Sequence, residues 1–208
     1  GRYAAVCDYK TGSPKLSLNE IMEGLSLQLI TYLLALSKTK DTKDLLPAAM
    51  MYIYLHGRPK SISVPPNGIP HAKEKENTNG IFLNDPDVLR TLDSQSGTDD
   101  GFIGVSYVKD GSVKKTSPVL TAEEFEALKA LTEKILIRLY NRLESGENAI
   151  HPVKNGTLSP CSYCPYRSIC RFDPALPENS FDYISKVSDK TIREKLDEEM
   201  KRNGKENL

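Results

Sequence analysis

Apolar positions along the chain form two short unbroken runs and several periodic stretches, which predict an alternation of strands and helices. The run YAAVCDY, from Tyr3 to Tyr9, is rich in strand-forming residues and stops at a turn that contains glycine and proline. The run AAMMYIYL, which follows Pro47, is apolar without a break. Such a run predicts a strand that is buried on both faces.

Residues 17–40, between these two runs, follow a helical period. Ser17 and Glu20 have the spacing of a capping box. One face then carries the apolar residues Ile21, Leu25, Leu29, Leu33 and Leu36. We expect one continuous amphipathic helix that includes Gly24. The order strand, helix, strand predicts two parallel strands in one sheet with the helix packed over it.

The pattern changes between residues 57 and 120, where proline, glycine and charged residues replace any regular period. We expect a polar insertion at about residues 57–120 that is partly mobile. Inside it, Pro86 after Asn84 or Asp85 as the N-cap predicts a short helix. Alternating residues on both sides of the pair Asp110-Gly111 predict a hairpin.

The last third of the chain begins with a second amphipathic helix. Thr121 and Glu124 form a capping box, and the apolar period runs as far as Leu143, before Gly146. The remaining stretch is loop-like, contains three cysteines and ends in a charged tail that we expect to be a frayed helix. The predicted division is therefore residues 1–150 as a core with its insertion, and 151–208 as a cysteine-bearing clamp segment with a charged tail.

Charge narrows the classes of function. The 208 residues contain 28 Lys and Arg against 28 Asp and Glu, so no whole-molecule field attracts a polyanion. Nucleic-acid contacts would have to come from local lysines of the polar insertion. The simpler interpretation is that these lysines are solvated. They are Lys60, Lys73, Lys75, Lys109, Lys114 and Lys115. No apolar run approaches the ~20 residues of a membrane span, and no secretory signal is visible. We expect a cytoplasmic protein without a membrane partner.

Asp8 and Lys10 are the first candidates for chemistry. Alternate side chains of a strand share a face, so these two residues point the same way while Cys7 and Tyr9 point the other way. A carboxylate is a hard ligand for Mg²⁺, and an ammonium group can stabilise charge on a phosphate. The simpler interpretation is a strand that ends in solvated charges. Gln28 and Tyr32, four residues apart, share a helix face that could look toward this strand end.

Three of the four cysteines, Cys161, Cys164 and Cys170, lie within ten residues of one another. In a cytoplasmic chain such a cluster indicates a metal or iron-sulfur site more often than disulfides. A zinc site that adds His151 and a set of unliganded thiols are the alternatives. We expect Cys7 to be a buried core residue. His56 and His71 are not site candidates.

The stretches VCDYKTG and GLSLQLITYLLAL together resemble the PD-(D/E)xK nucleases of the RecB-like group, in which an acid-x-lysine strand precedes a helix with a Q-x-x-x-Y motif. The resemblance implies that Asp8 is a Mg²⁺ ligand, Lys10 the catalytic lysine, and Gln28 and Tyr32 the helix motif. It implies the backbone carbonyl of Tyr9 as a further ligand. It also implies an α/β fold, the C-terminal part of a restriction-endonuclease-like core.

The segments PAAMMYIYL, GIFLNDPDVLRTLD and CSYCPYRSICRFD extend the resemblance to the B subunits of AddAB- or RexAB-type ATP-dependent helicase-nucleases. That family pairs with an A subunit and processes DNA double-strand breaks for recombinational repair. The resemblance implies a [4Fe-4S] cluster on Cys161, Cys164 and Cys170, with its fourth cysteine upstream. It also places another metal-binding acid upstream. Nothing precedes Gly1 here, so we expect this chain alone to be nearly inactive.

Two other classes of function stay open from the sequence. The region could be a non-catalytic module that binds DNA or docks a subunit, or it could be a zinc-binding scaffold.

Overall fold

A four-stranded sheet lies at the centre of the molecule. The structure is a computed structural model that describes residues 2–12, 14–55, 78–98, 101–177 and 179–206. The strands follow the order β1-β2-β3-β4 and are Tyr3–Lys10, Leu46–Tyr54, Thr78–Leu83 and Val119–Leu120. β1 runs parallel to β2, which confirms the prediction, whereas β3 is antiparallel to β2 and β4 is parallel to β3.

β2 is buried on both faces, as its unbroken apolar run predicts. Met50 belongs to the larger apolar cluster on the helical side of the sheet, and Met51 belongs to a second cluster on the other side. Successive residues enter different clusters because strand side chains alternate between faces. The second cluster stops short of β1, where Cys7 and Tyr9 are exposed on that same side.

The predicted helix over residues 17–40 is two helices, α1 (Leu18–Met22) and α2 (Gln28–Lys38). The single continuous helix is wrong because the chain forms a Schellman stop after α1. Gly24 takes a φ of +85°, its N–H donates to the Ile21 carbonyl, and the Leu25 N–H donates to the Glu20 carbonyl. The Glu20 carboxylate does not close a capping box with Ser17; it accepts from the Ser26 hydroxyl and the Asn155 amide.

Two strands of the sheet, β3 and β4, lie inside the expected polar insertion, and the sequence pattern did not predict them. The short helix α3 (Pro86–Leu92) is confirmed, with Asp85 as its N-cap. The predicted hairpin is reduced to an isolated antiparallel bridge between Tyr107 and Val113 around a turn. The predictions on His56, Lys60, His71, Lys73 and Lys75 lie outside the described residues. The division of the chain at residue 150 stays a prediction.

Helix α4 (Ala122–Glu144) has the predicted capping box in both directions. After it come the short pair β5 (Val153–Lys154) and β6 (Asp182–Tyr183), with a 3₁₀ turn (Pro160–Ser162) and α5 (Arg167–Cys170) between them.

The charged tail forms helix α6 (Asp189–Glu206), and it packs on α4. Leu196 is fully buried there, and the nearly buried Glu199 pairs with Lys134 of α4. The predicted helix is therefore confirmed, and its packing on α4 was not predicted. Apolar residues at helical spacing give the tail a face that the charged residues between them concealed in the sequence.

Candidate active site

The candidate site lies where β1 ends. Asp8 and Lys10 point to the same side of the strand as the buried Val6, and their side chains are 23% and 30% exposed. The Lys10 Nζ lies 2.6 Å from the Asp8 Oδ2. The shared face predicted from alternation is therefore present. The two charged groups contact each other rather than extending separately into water.

Helix α2 supplies the next two groups. The Lys10 Nζ donates to the Gln28 Oε1 at 3.2 Å, and the Gln28 Nε2 donates to the Tyr32 hydroxyl at 3.3 Å. Gln28 is the first residue of α2, so the stop at Gly24 fixes where this amide enters the site. Tyr32 is one turn further and 48% exposed. All four predicted residues thus form one line of contacts from strand to helix.

Tyr52 is a residue of the site that sequence reasoning missed. It stands beside Asp8 in the register of the parallel strands, and the Lys10 Nζ lies 5.0 Å from the centroid of its ring. A cation over an aromatic face is held in place by the ring quadrupole. Burial raises the pKa of Tyr52, against the opposing effect of Lys10. The alignment of the two predicted strands was the signal that could have revealed it.

The contact between Asp8 and Lys10 favours the ionised form of Lys10. The hydrogen bond from Lys10 to Asp8 raises the pKa of Lys10 above its ordinary value, and the charge of Asp8 adds to this effect. The Asp8 Oδ2 is buried and, apart from this ion pair, makes no well-aligned hydrogen bond in the described part of the chain. A buried carboxylate oxygen with a free lone pair suits a hard divalent cation.

The donor set of the described residues fits part of a Mg²⁺ site. Asp8 offers a carboxylate, and the backbone carbonyl of Tyr9 follows it in the chain, while the Tyr9 side chain is exposed on the opposite face. Among the described residues, no group of three or more His, Cys, Asp or Glu side chains is placed to hold a metal. The described residues therefore bring one carboxylate to Lys10, and the ligand roles of Asp8 and Tyr9 stay predictions.

Comparison with known proteins identifies the family of the chain. The model of the PD-(D/E)XK nuclease superfamily matches residues 1–171. The chain belongs to this superfamily. The family resemblance and the α/β nuclease fold expected from the sequence are thereby confirmed. No described helix of this PD-(D/E)XK protein is long and apolar enough to cross a membrane.

Several curated relatives match almost the whole chain. The B subunit of an ATP-dependent helicase/deoxyribonuclease from Desulforamulus reducens is 32% identical over 91% of this chain, and that from Clostridium kluyveri is 33% identical over 91%. The protein of the same description from Clostridium acetobutylicum is 30% identical over 98%. The chain spans only 17–18% of the length of these relatives.

The three clustered cysteines of this PD-(D/E)XK protein lie in the segment after α4. Cys161 is in the 3₁₀ turn, Cys170 ends α5, and Cys164 lies between them; all three are free and half-buried. Local hydrogen bonds shape the segment, since the Cys170 N–H donates to the Tyr166 carbonyl at 2.9 Å. Thiols suit an iron-sulfur cluster or zinc, but the described part of the chain does not bring the three together as a ligand set.

Two further predictions concern neighbouring side chains. Cys7 is exposed, so its prediction as a buried core residue is wrong: the apolar cluster over β2 does not reach this edge of the sheet. Partial desolvation nevertheless raises the pKa of its thiol. His151, the candidate fourth zinc ligand, has its Nδ1 3.2 Å from the Ser180 hydroxyl.

Proposed function

We propose that this chain is the catalytic part of a Mg²⁺-dependent deoxyribonuclease that works within an ATP-dependent helicase-nuclease. The observation that carries the proposal is the line of contacts from Asp8 through Lys10 and Gln28 to Tyr32. It places an acid, an ammonium group, an amide and a phenol at one strand end. Superfamily membership and relatives named as deoxyribonuclease subunits support the same reaction class.

The proposed roles follow from the chemistry of each group. The Asp8 carboxylate and the Tyr9 carbonyl would hold Mg²⁺, which would supply Lewis acidity for attack of water on the phosphate. Lys10 stays protonated and stabilises negative charge on the scissile phosphate. Gln28 orients the Lys10 ammonium group. Tyr32, half exposed on the next turn of α2, contacts the DNA strand.

The single carboxylate limits what this chain does alone. Mg²⁺ demands several converging oxygens and keeps water where the protein supplies few, so Asp8 with one carbonyl binds it weakly. We propose that the full-length protein adds at least one more acid to the site. Isothermal titration of the 208-residue chain with Mg²⁺ should give weak binding, and degradation of DNA by this chain at the rate of the full-length enzyme would contradict the idea.

Iron-sulfur binding is proposed for Cys161, Cys164 and Cys170, together with a fourth cysteine elsewhere in the full-length protein. The free thiols and their close spacing support it. Replacing any of the three by serine in anaerobically purified full-length protein should remove iron and acid-labile sulfide. The matched control is Cys7→Ser, because Cys7 is exposed on β1 and should keep both. Stoichiometric zinc instead of iron would favour the zinc-scaffold alternative.

The biological setting is proposed from the names of the relatives and the resemblance. DNA is the substrate, a helicase-nuclease A subunit is the partner, the cytoplasm is the compartment, and processing of double-strand breaks for recombinational repair is the role. Association of the full-length protein with its A subunit can be measured by sedimentation.

The decisive experiment removes the acid. Full-length Asp8→Ala protein, assayed on linear DNA with Mg²⁺ and ATP, should lose nuclease activity by a factor of about a thousand while ATP hydrolysis continues. The matched control is Asp41→Ala, an exposed acid outside the site. Retained cleavage by Asp8→Ala would remove Asp8 from catalysis. A wild-type protein that never cuts DNA would favour the non-catalytic binding or docking module.

A further inference from the structure

A cleft of about 540 Å³ lies outside the candidate active site, since none of Asp8, Lys10, Gln28 and Tyr32 lines it. Three segments supply most of its lining: residues 15–20 at the start of α1, residues 115–119 before and within β4, and residues between Lys186 and Arg193 at the start of α6; Ile81 and Asn155 complete it. The cleft therefore lies where the catalytic half of the fold meets the cysteine-bearing half.

The cleft is rich in positive charge. Lys15, Lys115 and Lys186 line it from three different segments, and all three are exposed and have no ion-pair partner among the described residues. Arg193 is committed elsewhere, because it pairs with Glu124 and donates to the Val119 carbonyl. In a protein with no net charge, three free ammonium groups around one cleft form a local field that favours a polyanion.

Two acids, Glu20 and Asp189, also line the cleft, and the three lysines outnumber them. Both carboxylate oxygens of Glu20 accept hydrogen bonds, from Ser26 and Asn155. Asp189 lies in the first turn of the 18-residue helix α6, where the positive end of the helix dipole offsets its charge.

Short connections join the cleft to the catalytic strand end. β1 ends at Lys10, and by residue 16 the chain is at the cleft, where the Leu16 N–H donates to the Asn79 Oδ1 at 2.6 Å. Asn79 stands beside Tyr52 in the register of β2 and β3, and Tyr52 stands beside Asp8 in that of β1 and β2, so Leu16 reaches the sheet two strands away from Asp8.

An aromatic group stands next to the cleft in the chain. The Tyr183 ring is 68% exposed, packs edge-on against Phe181, and lies three residues before Lys186. The Lys154 Nζ lies 4.9 Å from the Phe181 ring centroid and 5.9 Å from that of Tyr183. Tyr183 pairs with Lys154 across β5 and β6, and the next residue, Asn155, lines the cleft, so this exposed ring lies near the basic groove. An exposed ring near a basic groove can stack on unpaired bases, whereas bases in a duplex are already stacked.

We propose that this cleft binds the phosphodiester backbone of single-stranded DNA next to the cleavage site, with Lys15, Lys115 and Lys186 on the phosphates and Tyr183 stacked on a base. The proposal rests on the proposed nuclease function. It adds a binding path built from residues outside the Asp8 to Tyr32 line of contacts.

The test measures binding rather than cleavage. Full-length protein carrying Asp8→Ala, with no ATP, is titrated with a fluorescent single-stranded oligonucleotide at several salt concentrations. Adding Lys15→Glu, Lys115→Glu and Lys186→Glu should weaken binding by about tenfold or more and reduce the slope of log affinity against log salt by about 2, at ~0.7 per lost contact. Tyr183→Ala should weaken binding without changing the slope.

The matched control reverses three exposed lysines that do not line the cleft, Lys40, Lys109 and Lys201, and should leave the slope unchanged. An unchanged slope in the cleft variant would overturn the proposal. Normal DNA binding by the cleft variant, combined with lost association of the A subunit, would also overturn it, because the cleft would then bind an acidic protein partner. Failure of the nuclease proposal is distinguishable, because it appears as cleavage by Asp8→Ala protein whose lysines are intact.

Discussion

The Lys10 Nζ lies 2.6 Å from the Asp8 Oδ2, and both side chains leave the same face of β1. The lysine also reaches Gln28 and lies over the ring of Tyr52, so an acid on its own strand, an amide on α2 and an aromatic ring on β2 fix it from three directions. Such a lysine loses little conformational entropy when a phosphate arrives, which favours electrostatic stabilisation of the transition state.

Replacing Asp8 by asparagine should lower the pKa of Lys10. Asp8 raises that pKa by a hydrogen bond and by its charge, so the stabilisation from the pair is fully present below the ordinary pKa of lysine and is lost as the pH rises through the raised value. The measurement is the rate at which Lys10 is acylated across the alkaline range, read by mass spectrometry, because only the neutral amine reacts. The pH dependence of Lys10 labelling should shift to lower pH in Asp8→Asn. The exposed Lys40 should show no shift, and an identical Lys10 profile in both proteins would contradict the pairing.

Replacing Gln28 by alanine should reduce nuclease activity more than replacing Tyr32 by phenylalanine. Gln28 accepts from the Lys10 ammonium group, and a hydrogen bond to a charged group contributes about 1.5–3 kcal/mol, which corresponds to roughly a ten- to hundredfold loss of kcat/KM. Tyr32→Phe removes one hydroxyl from a half-exposed ring and should cost less. The comparison is made on full-length protein at saturating Mg²⁺. Equal losses in the two variants would show that Gln28 does not act through Lys10.

The sequence predicted those parts of the fold in which a local pattern decides the structure. The apolar run of β2 and the capping box at Thr121 are local signals, and the structure has both. The parallel pairing of β1 with β2 is not local, but the order strand, helix, strand predicted it. Gly24 was a local signal too, but the apolar period on both sides of it concealed the stop. β3 could not be predicted, because it is short and its burial depends on β2 and on the segment over residues 101–107.

The candidate site divides in a similar way. Asp8 and Lys10 share a face by strand alternation, and Gln28 and Tyr32 share one by helical spacing, so each pair was predictable alone. The contact between the pairs depends on how α2 packs on the sheet; helical spacing only allowed it, and the family resemblance was what favoured it. Tyr52 and the lysine-lined cleft required three-dimensional neighbours from distant segments, and no spacing rule brings Lys15, Lys115 and Lys186 together.

Replacing Gly24 by alanine should lower both stability and activity. Gly24 has a φ of +85°, where a side chain costs about 1–2 kcal/mol, and the stop it forms sets the position of Gln28. Gly146→Ala is the matched control, since Gly146 also has a positive φ of +71°, with no atom within 4 Å of an added Cβ, and lies after α4. Thermal unfolding should shift similarly in both variants, whereas only Gly24→Ala should reduce kcat. A loss of kcat in Gly146→Ala would show that the effect is general destabilisation.

Replacing Leu196 by alanine should detach the tail helix. Leu196 is fully buried between α6 and α4, and truncation of such a side chain costs about 2–5 kcal/mol through lost burial and the cavity left behind. Its detachment should expose Glu199, the buried partner of Lys134, and open one wall of the lysine-lined cleft, because Ile192 and Arg193 of the same helix line it. Hydrogen exchange measured by mass spectrometry should show faster exchange over residues 189–206 and in the part of α4 that α6 covers. The matched control is Asp197→Ala, because Asp197 follows Leu196 in the chain and is exposed. This variant should show the same hydrogen exchange as wild type. Protection of α6 that survives Leu196→Ala would mean that the ion pairs of Glu124 and Glu199, rather than the apolar face, hold the helix in place.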